Sequence, residues 1–181
     1  MALLDVDTVE KRFGGVIAVR NVSMSVNEGE RIGLIGANGA GKTTLFSIIA
    51  GNQKPSTGSV TFNGERIDGL RPDAISRRGI ARTFQIVRPF GELSVMENLA
   101  IGAMFGASQE HSIDQAHARA KEILYDVGLN DRAADCASDL TLAGRKRLEV
   151  ARALATKPKL LMLDEVLAGL TPSEVNEAVT M

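Results

Sequence analysis

Gly36-Ala37-Asn38-Gly39-Ala40-Gly41-Lys42-Thr43-Thr44 is the stretch that decides the fold of this 181-residue chain. It fits the phosphate-binding loop pattern G-x-x-x-x-G-K-[ST]. Glycines let the backbone wrap closely round an anion, and amides at the N-terminus of the following helix point at it. Lys42 supplies a point charge for the outer phosphates, and Thr43 offers a hydroxyl to Mg²⁺. The stretch predicts a nucleoside triphosphate site; the alternative is a glycine-rich turn before an amphipathic helix.

The residues on both sides of this loop have the patterns of a strand and a helix. The segment Arg31-Ile32-Gly33-Leu34-Ile35 predicts a short, buried strand that enters the loop. Leu45, Ile48 and Ile49 recur at i, i+3 and i+4, which places them on one face of a helix that leaves it. Gly51 follows as the expected end of that helix.

The composition excludes several classes of protein. Charged residues make up 24% of the chain and hydrophobic residues 44%, as in an ordinary soluble globular protein. The net charge of −1 argues against a nucleic-acid partner, and the single cysteine, Cys136, excludes an internal disulfide. We expect no signal peptide, because the N-terminus lacks a basic segment and a long apolar stretch. No apolar run approaches membrane-spanning length, so a role at a membrane must work through partner proteins.

Strand and helix patterns alternate along the rest of the chain. Strands are expected within residues 3–26, at 58–62 before a tight turn at Asn63-Gly64, at 80–85 and at 160–163. Helices are expected at residues 72–78, 113–127 and 145–156, and from the capping box Thr171–Glu174 onward. The alternation predicts an α/β fold with a mainly parallel core sheet. Within one domain, we expect residues 1–66 to form a small antiparallel β part with the phosphate loop, residues 90–157 a helical insertion, and residues 158–181 the last strand and its helix.

The apolar strand pattern at residues 160–163 ends in Asp164 and Glu165, which is the Walker B pattern. Asp164 would hold Mg²⁺ through its water shell, and Glu165 would polarise the attacking water as a general base. An apolar strand that ends in acidic residues is common and is weak evidence by itself. Its combination with the phosphate loop favours nucleotide hydrolysis.

With these motifs in place, the chain resembles the nucleotide-binding subunit of an ABC transporter, most of all the ATPase subunits of bacterial branched-chain amino acid importers. The resemblance covers the whole chain and is carried by the phosphate loop and by Lys11–Gly15, Gly79–Gln85, Glu92–Leu99, Arg147–Leu154, Leu163–Glu165 and Ala168–Leu170. It implies a P-loop NTPase fold of the ABC type. It also implies that Mg-ATP is bound between two such subunits, with the phosphate-loop residues Gly36, Asn38, Gly39, Ala40, Gly41, Lys42, Thr43 and Thr44 in contact with the nucleotide.

The resemblance also implies roles for two residues outside these loops. Phe13 would stack on adenine; as an isolated residue it would be interpreted as a turn or core phenylalanine. Gln85 would reach Mg²⁺ and the attacking water and relay contact with membrane subunits; as an isolated residue it would be a polar strand end. Residues 86–105 would then face a membrane subunit, although Phe90 and Phe105 could equally belong to an ordinary core.

The chain departs from the family pattern in two places. The family's signature falls on Leu140–Gly144, so Thr141, Leu142, Ala143 and Gly144 would act on the nucleotide of the opposing subunit. Ala143 replaces a glycine there, and its Cβ narrows the allowed backbone. The basic run Arg145–Arg147 that follows is interpreted as a solvated helix face. The family's switch histidine has no counterpart, since His111 and His117 lie upstream and are expected to be exposed bystanders.

The function implied by the resemblance is ATP binding and hydrolysis that powers an ABC importer, at the cytoplasmic face of the membrane. The implied partners are a second ATP-binding subunit, membrane permease subunits and, indirectly, a periplasmic or surface substrate-binding protein. Two alternatives stay open: a soluble ABC ATPase of repair or translation, and an unrelated P-loop kinase or GTPase. Long heptads and a second cassette, which the soluble types carry, are not seen.

The sequence stops at Met181, inside the helix expected from Pro172, without a capping residue. We therefore expect a chain that is incomplete at its C-terminus. In the family, the strand after this helix lies between the phosphate-loop strand and the Walker B strand. Without it, and without the switch histidine, the 181 residues alone are not expected to hydrolyse ATP competently.

Overall fold

The computed structural model describes residues 2–83, 89–107, 110 and 112–164. The chain divides into two compact units, Met1–Ile75 and Ser76–Met181, which are described separately. Among the described residues, no helix has the length and hydropathy needed to cross a bilayer.

The first unit contains a four-stranded antiparallel sheet, as the strand patterns of its sequence predict. Its strands are β1 (Leu4–Phe13), β2 (Val16–Val26), β3 (Thr57–Phe62) and β4 (Glu65–Arg66), in the order β2-β1-β3-β4. The turn between β3 and β4 has φ of 50° at Asn63 and 78° at Gly64, and Phe62 pairs with Glu65. Two successive positive φ angles match the twist of a tight hairpin, which confirms the predicted turn.

Helix α1 (Lys42–Ile49) follows the phosphate loop and buries the predicted face. Leu45, Ile48 and Ile49 are each at most 3% exposed. Gly51 ends the helix with φ of 78°, and a Cβ at this position would lie 2.7 Å from the Leu70 carbonyl oxygen. The packing therefore needs glycine where the sequence predicts a helix end. The short helix α2 (Pro72–Arg77) also begins at the expected proline.

The strand predicted over residues 31–35 is not present in the structure. The segment forms no strand, and all its residues are exposed, with Ile35 at 96%. A strand requires a hydrogen-bonded neighbour, and no described part of the chain pairs with this segment. The apolar pattern was therefore not sufficient to produce a buried strand here.

The described residues of the second unit form a parallel strand pair and three longer helices. Strands β5 (Ile80–Arg82) and β6 (Leu160–Met162) pair in parallel, with Arg82 opposite Met162. The helices are α3 (Val95–Phe105), α4 (Ile113–Asp126) and α5 (Leu142–Ala155), and Asn130–Arg132 and Ala137–Asp139 are 3-10 helices. Parallel strands joined through helices agree with the predicted α/β class. The apolar pattern of residues 160–163 predicts a buried strand, but in β6 only Met162 is buried, and Leu160 and Leu161 are partly exposed.

The three helices surround one apolar core. Its fully buried members include Val95, Leu99, Ala120, Ile123, Leu124, Leu140, Leu148 and Ala151. Helices α3 and α5 approach closely at a glycine, since a Cβ on Gly102 would lie 2.8 Å from the Arg152 carbonyl oxygen. The sequence analysis missed α3, although Ser94 and Glu97 form the capping box that begins it.

Two details of the predicted helices are wrong. Helix α5 begins at Leu142, three residues earlier than expected, because the Thr141 side chain caps it. The apolar periodicity of residues 113–127 predicts that Ile113 shares the buried face of α4 with Ala116, Ala120, Ile123 and Leu124, but Ile113 is 62% exposed because it lies in the first turn, before the buried Ala116.

We expect Leu124→Ala to lower the free energy of unfolding by about 2–5 kcal/mol, because it leaves a cavity in the helical core. Ile113→Ala, on the same helix, is the matched control and should cost about 0.5 kcal/mol or less. Urea denaturation followed by circular dichroism gives both values. Equal losses for the two variants would contradict the packing described above.

Candidate nucleotide-binding site

The phosphate loop depends on one glycine at its junction with α1. Gly41 has φ of 88°, and an added Cβ would lie 2.1 Å from the Ala18 carbonyl oxygen of β2. Gly39 has a similar φ of 82°, but its missing Cβ would meet open space. Both angles favour glycine, and the close approach at Gly41 requires it. The loop therefore rests directly on the β-sheet of the first unit.

The side chains of the loop are arranged as an anion site requires. The Lys42 ammonium donates to the carbonyl oxygens of Gly36 and Ala37, at 2.6 and 2.9 Å. These bonds hold its charge within the span of the loop. Among the described residues, no side chain caps the N-terminus of α1, and Thr43 is exposed. The first-turn amides and the Thr43 hydroxyl are thus available to an anion and to a cation that accompanies it.

Phe13 lies at the end of β1 and is 47% exposed, so it is not a core residue. The Lys11 ammonium lies 5.0 Å from the centre of its ring, a cation–π contact. Phe13 pairs with Val16, two positions before Ala18 in β2, on which Gly41 rests. Two strand residues span about 7 Å, so the hairpin brings an exposed aromatic ring near the phosphate loop.

In the second unit, Asp164 follows β6 and is buried against a cation. Its Oδ2 accepts a hydrogen bond from Nη2 of Arg82 at 2.9 Å, and the two side chains are 9% and 7% exposed. The Asp164 amide donates to the Thr83 hydroxyl at 3.0 Å, and the Thr83 amide donates to the Met162 carbonyl oxygen at 3.0 Å. The end of β5 therefore fixes both the backbone and the carboxylate of Asp164.

The sequence analysis did not identify Arg82 or Thr83 as site residues. A signal was present, because both lie in the Gly79–Gln85 segment that carries the family resemblance. Their contact with Asp164 requires the parallel register of β5 and β6, and this register cannot be obtained from local patterns.

The signature segment forms the first turn of α5. The Thr141 hydroxyl accepts from the Gly144 amide at 3.2 Å, and Leu142 is 54% exposed. Ala143 is 7% exposed, so its methyl group packs inward. The extra Cβ at this departure from the family pattern is thus accommodated by the core and does not lie on the exposed side of the turn.

The basic run after the signature is not a solvated face, which corrects the sequence-based interpretation. Lys146 is 7% exposed. Arg145 donates to the carbonyl oxygens of Leu140 and Ser138, at 3.0 and 2.7 Å. These bonds stabilise the segment that leads into Thr141, because Ser138 and Leu140 precede α5 and their carbonyl oxygens accept no hydrogen bond of that helix.

Several predicted site residues cannot be placed. Gln85 and Glu165 lie outside the described residues, as do His111 and the helix expected from Pro172. His117 is exposed, as expected. Phe90 and Phe105 are 46% and 72% exposed, so neither is an ordinary core residue. Within the described ranges, no cluster of three or more His, Cys, Asp or Glu side chains could hold a metal ion.

Comparison with known proteins identifies the family. The profile of the ABC transporter family matches residues 19–168. The branched-chain amino acid transport ATP-binding protein LivG of Salmonella typhimurium is 41% identical, over 97% of this chain and 73% of that protein. BraF of Pseudomonas aeruginosa, described in the same terms, is 37% identical over the same shares. The chain belongs to the ABC transporter family.

Solved structures agree with this assignment. The ADP conformation of MJ1267, an ATP-binding cassette of an ABC transporter, matches with a TM-score of 0.87 and 34% identity. The match covers 99% of this chain and 75% of that one. The α/β ABC-cassette fold expected from the sequence is therefore confirmed.

We expect Gly41→Ala to destabilise the protein more than Gly39→Ala. Gly39→Ala should lower the free energy of unfolding by about 1–2 kcal/mol, because an L-residue pays a steric penalty in a left-handed backbone conformation. Gly41→Ala carries the same penalty plus an overlap with the Ala18 carbonyl. Urea denaturation of both variants tests this order. An equal or smaller loss for Gly41→Ala would contradict the close approach between the loop and β2.

Proposed function

We propose that this chain is the ATP-binding and hydrolysing subunit of an ABC importer for branched-chain or related amino acids. The observation that carries the proposal is the 41% identity to LivG over nearly the whole chain. A transport ATPase of this kind is peripheral to the cytoplasmic face of the membrane and acts through permease subunits. The family assignment removes the unrelated P-loop kinase or GTPase from consideration.

The residues of the first unit support ATP binding. Lys42 contacts the outer phosphates, and the amides from Gly36 to Thr44 surround them, with Gly39 and Gly41 supplying the required backbone angles. Phe13 stacks on adenine beside the turn of the β1–β2 hairpin. Its exposure is consistent with this role, because a ring that receives a base must not be covered by the core.

Mg²⁺ is the cofactor that accompanies ATP in this proposal, and the oxygen ligands present suit it. Thr43 provides a hydroxyl, and Asp164 provides a carboxylate whose Oδ1 accepts no hydrogen bond from any described residue. Thr43 and Asp164 would hold the ion, which would supply positive charge to the transferred phosphate. Gln85 and Glu165 are proposed to orient the attacking water, with Glu165 as its general base.

A second ATP-binding subunit completes the proposed site. The first turn of α5, with Thr141 as its cap and Leu142 exposed, presents helix-start amides on the surface. Such a turn can approach the triphosphate held by another subunit. Ala143 is compatible with this role because its methyl group points into the core. The proposed assembly also contains membrane permeases and, indirectly, a substrate-binding protein.

Lys42→Ala should weaken Mg-ATP binding roughly ten- to hundredfold, because a charged hydrogen bond is worth about 1.5–3 kcal/mol. Titration with a fluorescent ATP analogue measures the change. Lys121→Ala, which removes an exposed lysine from α4, is the control and should bind as the unaltered chain does.

Glu165→Gln provides the contrast to Lys42→Ala. It should bind Mg-ATP normally but release phosphate about 10²–10⁴-fold more slowly, the usual effect of losing a general base. Phosphate release is measured on the full-length subunit, with permease subunits present. Near-normal turnover would remove Glu165 as the base, and normal binding by Lys42→Ala would refute the nucleotide site.

Hydrolysis per subunit should rise with subunit concentration or on addition of membrane partners, because the signature acts on the nucleotide of a second subunit. Phosphate release across a dilution series, with light scattering to report mass, tests this. A constant rate per subunit from a protein that stays monomeric throughout would contradict the shared site.

A further inference from the structure

Arg82 is a buried cation at the carboxyl end of a parallel strand, and the proposed roles above do not use it. Its Nη2 lies 2.9 Å from Oδ2 of Asp164. In the parallel register, Arg82 is opposite Met162, and Asp164 is two residues further along the chain from Met162. Because side chains alternate with a period of two, this spacing places the Asp164 carboxylate on the side of the sheet from which Arg82 projects.

The ion pair is too buried to be an incidental surface contact. The side chains of Arg82 and Asp164 are 7% and 9% exposed. Placing a carboxylate in such surroundings is costly without a charged partner, and removal of one partner leaves an uncompensated buried charge. Thr83, which is 1% exposed, adds a second constraint by accepting from the Asp164 amide. Arg82, the last residue of β5, and Thr83, the residue after it, thus both hold Asp164.

The contact occupies only one of the two carboxylate oxygens. Oδ2 accepts from Arg82, whereas Oδ1 has no hydrogen-bond donor among the described residues. We propose that Arg82 is a positioning residue for the Mg²⁺ role of Asp164: it fixes the carboxylate through Oδ2 and leaves Oδ1 available to accept from the metal's water shell. The inference rests on the proposed function, because it assumes that Asp164 serves Mg²⁺.

Groups that hold a metal-binding carboxylate in place influence its affinity for the metal. Their removal commonly lowers that affinity roughly ten- to hundredfold. Arg82→Met removes the guanidinium but keeps much of the buried stem. It should reduce the Mg²⁺-dependent gain in nucleotide affinity about tenfold or more. Affinity measured in EDTA should stay unchanged, because the phosphate loop does not involve Arg82.

The experiment titrates a fluorescent ATP analogue in EDTA and in excess Mg²⁺. The variants are Arg82→Met, Arg82→Lys and, as control, Arg71→Met. Arg71 also forms an ion pair, with Asp73, but its side chain is 86% exposed. Arg82→Lys should recover most of the Mg²⁺-dependent gain, because a single donor to Oδ2 suffices. Arg71→Met should match the unaltered chain.

A second comparison separates positioning from general stabilisation. In an Asp164→Asn background, Arg82→Met should cause no further loss of the Mg²⁺-dependent gain, because both changes act on one carboxylate. If Arg82→Met does not give a cooperative melt, Arg82→Gln replaces it, because a polar side chain is better tolerated beside the Asp164 carboxylate. Glutamine is shorter than arginine and does not reach Oδ2, so Arg82→Gln should also reduce the Mg²⁺-dependent gain, whereas Arg82→Lys should not.

The outcomes distinguish this inference from the proposed function. An unaltered Mg²⁺-dependent gain in Arg82→Met, or additive losses with Asp164→Asn, would overturn the role of Arg82 while the nucleotide site stands. If the unaltered chain shows no Mg²⁺-dependent nucleotide binding and Lys42→Ala changes nothing, the proposed function itself fails, and this inference with it.

Discussion

The phosphate loop depends on the close approach between Gly41 and the Ala18 carbonyl oxygen. Only a residue without a side chain fits there, and the φ of 88° carries the chain from the loop into α1. Since Ala18 belongs to β2, the same contact fixes the loop against the β1–β2 hairpin, in which Phe13 is the last residue of β1. One steric constraint therefore fixes the phosphate loop relative to Phe13, the residue proposed to stack on adenine. This placement does not depend on a side-chain hydrogen bond between them.

In the second unit, backbone pairing has the corresponding role. Residues 91–96 bond to residues 133–138 through four amide–carbonyl contacts of 2.9–3.2 Å. Asn98, fully buried, closes the preceding turn by exchanging hydrogen bonds with the Phe90 backbone. This pairing fixes the chain just before Thr141, where the signature turn begins. Residues 91–96, which follow Gln85 in sequence, thus help to set the geometry of that turn within a single subunit.

Local chemistry made much of the fold predictable, whereas pairing between distant segments did not. The hairpin turn at Asn63-Gly64 and the buried face of α1 follow from neighbouring residues, and both agree with the structure. The strand expected at residues 31–35 failed because strand formation needs a partner. Lys146 was misjudged for the same reason, since burial of a helix face is decided by what packs on it. The contact of Arg82 with Asp164 required a register between segments far apart in sequence.

The two units handle charge by opposite means, and the difference follows from burial. The half-buried Lys42 is held by two carbonyl dipoles, which an incoming phosphate can replace with a full negative charge. Buried Asp164 instead faces a full positive charge, because dipoles alone compensate a desolvated carboxylate poorly. A weakly held cation suits the proposed nucleotide site, which would exchange its ligand at every turnover. A strongly held carboxylate suits the proposed metal role of Asp164, because its geometry would have to survive that exchange. Under the proposed function, nucleotide affinity and metal geometry would therefore depend on separate residues.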